Sequence, residues 1–165
     1  MKSDSETKTV EVSVRVPGSP EVVFPYFTDA EKYLQWKGFE AELDARPGGV
    51  YRVLMPGGAT AEGEYLVVDP PHRLVFSWGW QGEVLPDGFA EVSPGSTTVE
   101  ITFVADGDDT IIRLRHTGLP SDEAEQVHRF GWTAYLPRIE VVRSGGDPGP
   151  QPGGEAVLRG TDRPF

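Results

Sequence analysis

His116 and His128 are the two side chains of this 165-residue sequence whose type and setting best suit acid–base chemistry or the orienting of a ligand. His116 alternates with Ile112 and Leu114 in TIIRLRHT, which places it on the inner face of a strand. His128 stands four residues before Trp132, so on a helix the two approach the same point. A buried histidine hydrogen-bonded within the fold fits the same pattern, and the sequence leaves both readings open. Two histidines without a carboxylate or a third ligand at metal spacing do not make a zinc site, so no metal is expected. His72, in DPPH, belongs to a turn facing solvent. Glu62 and Glu64 share one strand face as a candidate acid pair, although a separation of two suits a solvated outer face equally well. Arg113 and Arg115 share the face opposite His116, where acids on neighbouring strands can pair with them.

Several other chemistries are ruled out. The chain has no Cys, which removes disulfides, thiol catalysis and thiolate metal sites. It contains no GxSxG, and Gly48-Gly49 and Gly57-Gly58 lack the following helix that a phosphate loop requires. A net charge of −11 opposes nucleic-acid phosphates and anionic membrane surfaces. No apolar run approaches the roughly 18–20 residues needed to cross a bilayer, and MKSDSETKT lacks the apolar core of a signal peptide. A cytoplasmic protein without membrane insertion is expected. Four Trp, five Tyr and eight Phe supply a substantial core for a single domain.

The elements that must position these residues follow from periodicity. Residues 1–9 are polar and expected to be flexible. Val10, Val12, Val14 and Val16 alternate with polar neighbours as a half-buried strand. Ser19-Pro20-Glu21 starts a short helix that Pro25 interrupts, and Thr28-Asp29 starts a second over about Ala30–Leu34. Six strands separated by turns follow, over Phe39–Ala45, Val50–Met55, Ala61–Val68, Arg73–Trp80, Ser96–Ala105 and Thr110–Thr117. A loop of undefined form spans Gln81–Gly95. Ser121 caps a long helix through Val142, apolar around much of its circumference and therefore wrapped by the sheet. Pro137 is expected to kink it. After residue 143 the Gly/Pro-rich composition predicts a flexible tail over 144–165. The order gives an α+β architecture: an antiparallel sheet of about seven strands curved around a long C-terminal helix, with two short helices after the first strand.

That order, carried by SPEVVFPYFTDAEKYLQW, GGVYRVLM, GEYLVVDPPHRLVFSW, TTVEITFVADGDDTIIRLRHTGLP and HRFGWTAYLPRI, resembles the START-like (SRPBCC) superfamily with its helix-grip, birch-allergen-like fold. Within it the chain is most similar to the family of the activator of heat-shock protein 90 ATPase. ITFVADGDDTIIRLRHTG also resembles the matching hairpin of the calicheamicin self-resistance protein. The resemblance spans residues 10–143, and Pro25 and Pro137 depart from its usual pattern. It implies a cavity between sheet and helix, with Trp36, Phe39, Tyr51, Trp78, Trp80, Phe130, Trp132 and Tyr135 as candidate lining and His116 and His128 at its polar margin. At each position simple core packing is the competing reading. The three Trp and two Tyr at strand ends and on one helix are nevertheless expected to leave a partly open pocket. The function implied is cofactor-free, non-catalytic binding of a hydrophobic or aromatic small molecule such as a lipid or polyketide. The alternatives are a polyketide cyclase/aromatase-like enzyme and a chaperone-associated interaction domain.

Overall fold

A computed structural model describes residues 7–152, so most of the expected N-terminal segment and residues 153–165 of the tail lie outside the described residues. Strand β1 (Lys8–Pro17) begins inside the segment expected to be flexible, and Lys8 is held to Asp122 by an ion pair of 3.1 Å. Val10 and Val16 are buried while Glu11, Ser13 and Arg15 are exposed, as the alternation requires. Helix α1 (Pro20–Val23) passes into a 3-10 turn over Phe24–Phe27. Pro25 is the reason, because it cannot supply the N–H that would continue the α-helix. Helix α2 (Ala30–Tyr33) is capped by the Asp29 carboxylate, which accepts from the Glu31 N–H.

Strands β2 (Glu40–Leu43), β3 (Val50–Leu54), β4 (Thr60–Asp69), β5 (Arg73–Trp78), β6 (Trp80–Gln81), β7 (Thr97–Asp106) and β8 (Asp109–Leu119) complete one antiparallel sheet. Its order is β1-β8-β7-β5-β4-β3-β2, with β6 paired to β4. The strand expected over Arg73–Trp80 divides at Gly79. A Cβ there would lie 1.7 Å from the Ser93 carbonyl oxygen, so the position admits only glycine. The interruption lets Trp80 leave the line of β5 and pair with Ala61 of β4. The two tryptophans then meet edge to face, with ring centroids 5.3 Å apart.

The loop between β6 and β7 is ordered by burial, with Phe89 stacked on Trp80 at 4.2 Å and Val92 fully buried. Helix α3 (Asp122–Tyr135) starts where Ser121 accepts from the Ala124 N–H, and acids in its first turn favour its positive end. Pro137 does more than kink the helix: α3 ends, and α4 (Pro137–Arg143) begins with that proline in its first turn. Both helices pack across β1.

Residues 147–152, expected within the flexible tail, instead lie as a strap against the domain. Gln151 exchanges hydrogen bonds with the Gly38 N–H (2.7 Å) and carbonyl (2.8 Å). Arg138 donates to the carbonyls of Pro148, Pro150 and Gly149 at 3.0–3.1 Å. Backbone carbonyls, supplied by any sequence, hold this segment, which is why composition gives no sign of it.

Candidate functional site

The inner face of α3 carries His128, Gly131, Trp132 and Tyr135, one helical stripe at i, i+3, i+4 and i+7. Opposite it, β5 brings Trp78, and the segment after α2 brings Lys37. These six residues line a half-open cavity of about 10 Å³, room for one water-sized group. The aromatic residues therefore pack more tightly than the partly open pocket the sequence suggested. Gly131 contributes only backbone there, and the neighbouring rings tilt or meet edge to face, as Trp78 and Trp132 do at 5.1 Å, a geometry that fills space without flat stacking.

The other candidates surround this cavity or lie away from it. Trp36 is buried behind it, donating its indole N–H to the Tyr26 carbonyl at 3.0 Å. Tyr51 stacks on Phe76 at 4.3 Å and shares a hydroxyl hydrogen bond with Tyr33. Trp80 reaches the site through His128. Phe39 and Phe130 do not belong to the lining. Phe39 is 60% exposed: Lys37 takes the inward position, and Gly38, at φ +88°, turns the chain so that Phe39 faces solvent. Phe130 is 37% exposed because it falls off the 128–131–132–135 stripe.

Both histidines are committed to internal hydrogen bonds. An indole N–H can only donate, so the nitrogen it meets must carry a lone pair. Trp132 Nε1 donates to His116 Nδ1 at 3.0 Å. The proton of His116 is thus on Nε2, which donates to Thr97 Oγ1 (2.8 Å), and that hydroxyl donates to the Trp78 carbonyl (2.9 Å). Likewise Trp80 Nε1 donates to His128 Nε2 at 2.9 Å, and His128 Nδ1 donates to the Ala124 carbonyl at 2.7 Å. Two relays tie α3 to the sheet, each through a neutral imidazole.

Burial lowers both imidazoles, His116 well below its ordinary range and His128 to about 4, and the charge of Lys37 adds to each shift. The unfolded chain therefore binds more protons between about pH 4 and 6.5, and stability falls as pH drops through that window. His128 alone accounts for about 3 kcal/mol by pH 4. The midpoint of thermal unfolding is accordingly expected to decline between pH 6.5 and 5, above the range where carboxylates titrate. A flat midpoint over that interval contradicts the neutral relays.

Lys37 was not among the sequence candidates. The residue is 2% exposed, and its ammonium sits over the rings of Trp78 (4.6 Å), Trp132 (5.1 Å), Tyr33 (5.6 Å) and Tyr135 (5.7 Å). Its hydrogen bond is to the Tyr33 hydroxyl at 3.3 Å. With no counter-charge, burial pushes the amine down to about 7. The available signal was a lone lysine inside the apolar run YLQWKGF, which reads equally well as a surface residue. Trp78 Nε1 is the one buried side-chain donor or acceptor among the described residues without a partner. Glu62 pairs with Arg52 at 3.1 Å and Arg115 with Glu11 at 3.2 Å, so the charged strand faces are engaged away from this site. No group of three His, Asp or Glu among the described residues could hold a metal ion, and no helix among them is long and apolar enough to cross a membrane.

The fold is shared with known proteins. The family model described as "Activator of Hsp90 ATPase homolog 1-like protein" matches residues 17–143. No curated protein matches by sequence. The solution structure of an AHSA1-like protein from Rhizobium etli is 42% identical, covering 92% of this chain and 91% of that one, with a TM-score of 0.68. DynU16, from the dynemicin biosynthetic locus, shares the fold at 23% identity and a TM-score of 0.69 over 85% of this chain, which spans 49% of that protein. An HSP90 activator from Plasmodium falciparum aligns at 26% identity and a TM-score of 0.62, covering 81% of this chain and 94% of that one. With the helix-grip architecture and a family match over most of its length, the chain belongs to the Activator of Hsp90 ATPase homolog 1-like family.

Proposed function

We propose that this protein encloses a small aromatic molecule between the sheet and α3 without transforming it. The observation that carries the reading is the aromatic enclosure of Lys37, Trp78, Trp132 and Tyr135 around a cavity with unused hydrogen-bond donors. A cyclase-like reaction needs a group free to move a proton. His128 lines the cavity, but both its nitrogens are engaged and its imidazole is neutral, which leaves the Lys37 amine, at about 7, as the one basic group of the lining free to exchange a proton. The cavity of about 10 Å³ has room for one water-sized group, so any larger ligand requires a neighbouring segment to yield. Residues 144–152 contribute no buried side chain, which makes the strap the segment that can do so at least cost.

Titration with 2-naphthamide, a neutral planar probe, followed by tryptophan fluorescence, tests this. Saturable quenching with one site per chain is expected, abolished in Gly131→Ala, whose methyl group occupies the water-sized cavity while circular dichroism reports an intact fold. Absence of saturation, by this probe and by its acid analogue 2-naphthoate, overturns the reading. It would favour a protein partner, the role named for the related HSP90 activator.

A further inference from the structure

The interior of this acidic chain is cationic. Among the described residues the buried side chains bearing a permanent or ordinary positive charge are Lys37 and Arg138, and no Asp or Glu is buried. This inverts the balance of a chain whose net charge is −11, and buried charges are normally paired. Neither cation has a carboxylate within ion-pair distance among the described residues. Lys37 Nζ has three donors and uses one, on the Tyr33 hydroxyl. Trp78 offers an indole N–H that meets no acceptor, and the two side chains line the same cavity. The complement of a buried ammonium and a buried N–H is an oxygen carrying negative charge.

Arg138 extends the same pattern to the rim. Its Nε donates to the Trp36 carbonyl at 2.8 Å, and its other nitrogens hold the strap carbonyls of Pro148, Gly149 and Pro150. Tyr135 lines the cavity, and its one hydroxyl proton is shared between Gln151 Oε1 and the Pro152 carbonyl, each 3.2 Å away. The strap thus supplies neutral oxygens to groups whose preferred partner is an anion.

We propose that the cavity receives the carboxylate of a planar aromatic acid. One carboxylate oxygen accepts from Lys37 and from the Trp78 N–H, and the ring lies against Tyr135 in place of the strap. The proposal rests on the reading of an enclosed aromatic ligand and adds the charge of its headgroup.

The test compares 2-naphthoate with 2-naphthamide, isosteric probes that differ in that charge, by calorimetry and tryptophan fluorescence on the full chain. At pH 6 the acid is expected to bind about tenfold or more tightly than the amide, the scale of a charge-assisted hydrogen bond. At pH 8, where most of the Lys37 amine is neutral, binding of the acid should take up a proton. Calorimetric enthalpies in two buffers of different ionisation enthalpy read that uptake directly. Lys37→Met should abolish both the preference and the uptake, and Trp78→Phe should reduce the preference about threefold. Equal affinity for acid and amide in the wild type, or a preference that persists in Lys37→Met, overturns the carboxylate assignment and leaves the aromatic cavity standing. Failure of both probes to saturate overturns the underlying reading as well.

Discussion

Lys37→Met is expected to stabilise the fold at pH 6 by about 3 kcal/mol, raising the thermal midpoint by about 10 °C for a domain of this size. The reasoning begins with burial, which brings the amine from 10.5 down to about 7. A shift of that size corresponds to on the order of 5 kcal/mol of destabilisation in the protonated state. The aromatic faces around the ammonium return about 1–2 kcal/mol. Methionine, one atom shorter, fills most of the cage without a charge, and the Tyr33–Tyr51 hydrogen bond survives the change. The sign with pH is fixed. The folded amine titrates below its unfolded value, so the unfolded chain holds the extra proton between about pH 7 and 10.5 and wild-type stability rises with pH there. The advantage of Met is therefore fullest below pH 7 and shrinks towards pH 10.5. Denaturation of both proteins at pH 6 and pH 10 checks it, and a less stable Met variant at pH 6 would mean that the ammonium is a net favourable member of the cage. A lysine retained at such a cost is consistent with a binding role.

Trp132→Ala should lose about 4 kcal/mol, near the upper end for a buried aromatic truncation. Two terms add. The indole leaves a void joined to the existing cavity beside Trp78 and Lys37, and His116 Nδ1 loses the donor that fixed its tautomer. Alanine is the best helix former, so the loss is one of packing and not of α3 itself. The void has the shape of the removed ring, and added indole should restore part of the midpoint in proportion to its concentration. Indole leaves wild type unchanged by comparison if its space is already filled. Loss without rescue in a still-folded variant would mean that α3 collapses onto the sheet.

Much of the architecture was legible because it depends on short-range periodicity. The alternation in β1 and β8, the turns at glycine and proline and the capped start of α3 each follow from a few neighbouring residues, whereas the kink expected at Pro137 is a full break between α3 and α4. The division of β5 from β6 was not, because Gly79 is excluded from bearing a side chain by Ser93, fourteen positions away in the fold's crossing loop. The strap was hidden for a related reason: Arg138 and Gln151 hold it through backbone oxygens and nitrogens, which every residue has.

For the site, the sequence picked out Trp78, His128, Trp132 and Tyr135, which do enclose one cavity, because all four follow the helical stripe or strand alternation. It also ranked Phe39 and Phe130 with them, since hydrophobicity alone does not say which way a residue beside a left-handed glycine, or one off the helical stripe, will point. It identified two histidines as candidate chemical groups, and only the fold shows each engaged at both nitrogens. The sequence by itself determined the elements, their order and the aromatic content of the interior, because those are set by local pattern and composition. The tertiary structure alone decided that Lys37 is the buried cation among those rings and that the Trp78 N–H faces no acceptor. Burial and hydrogen-bond satisfaction are properties of segments brought together from across the chain.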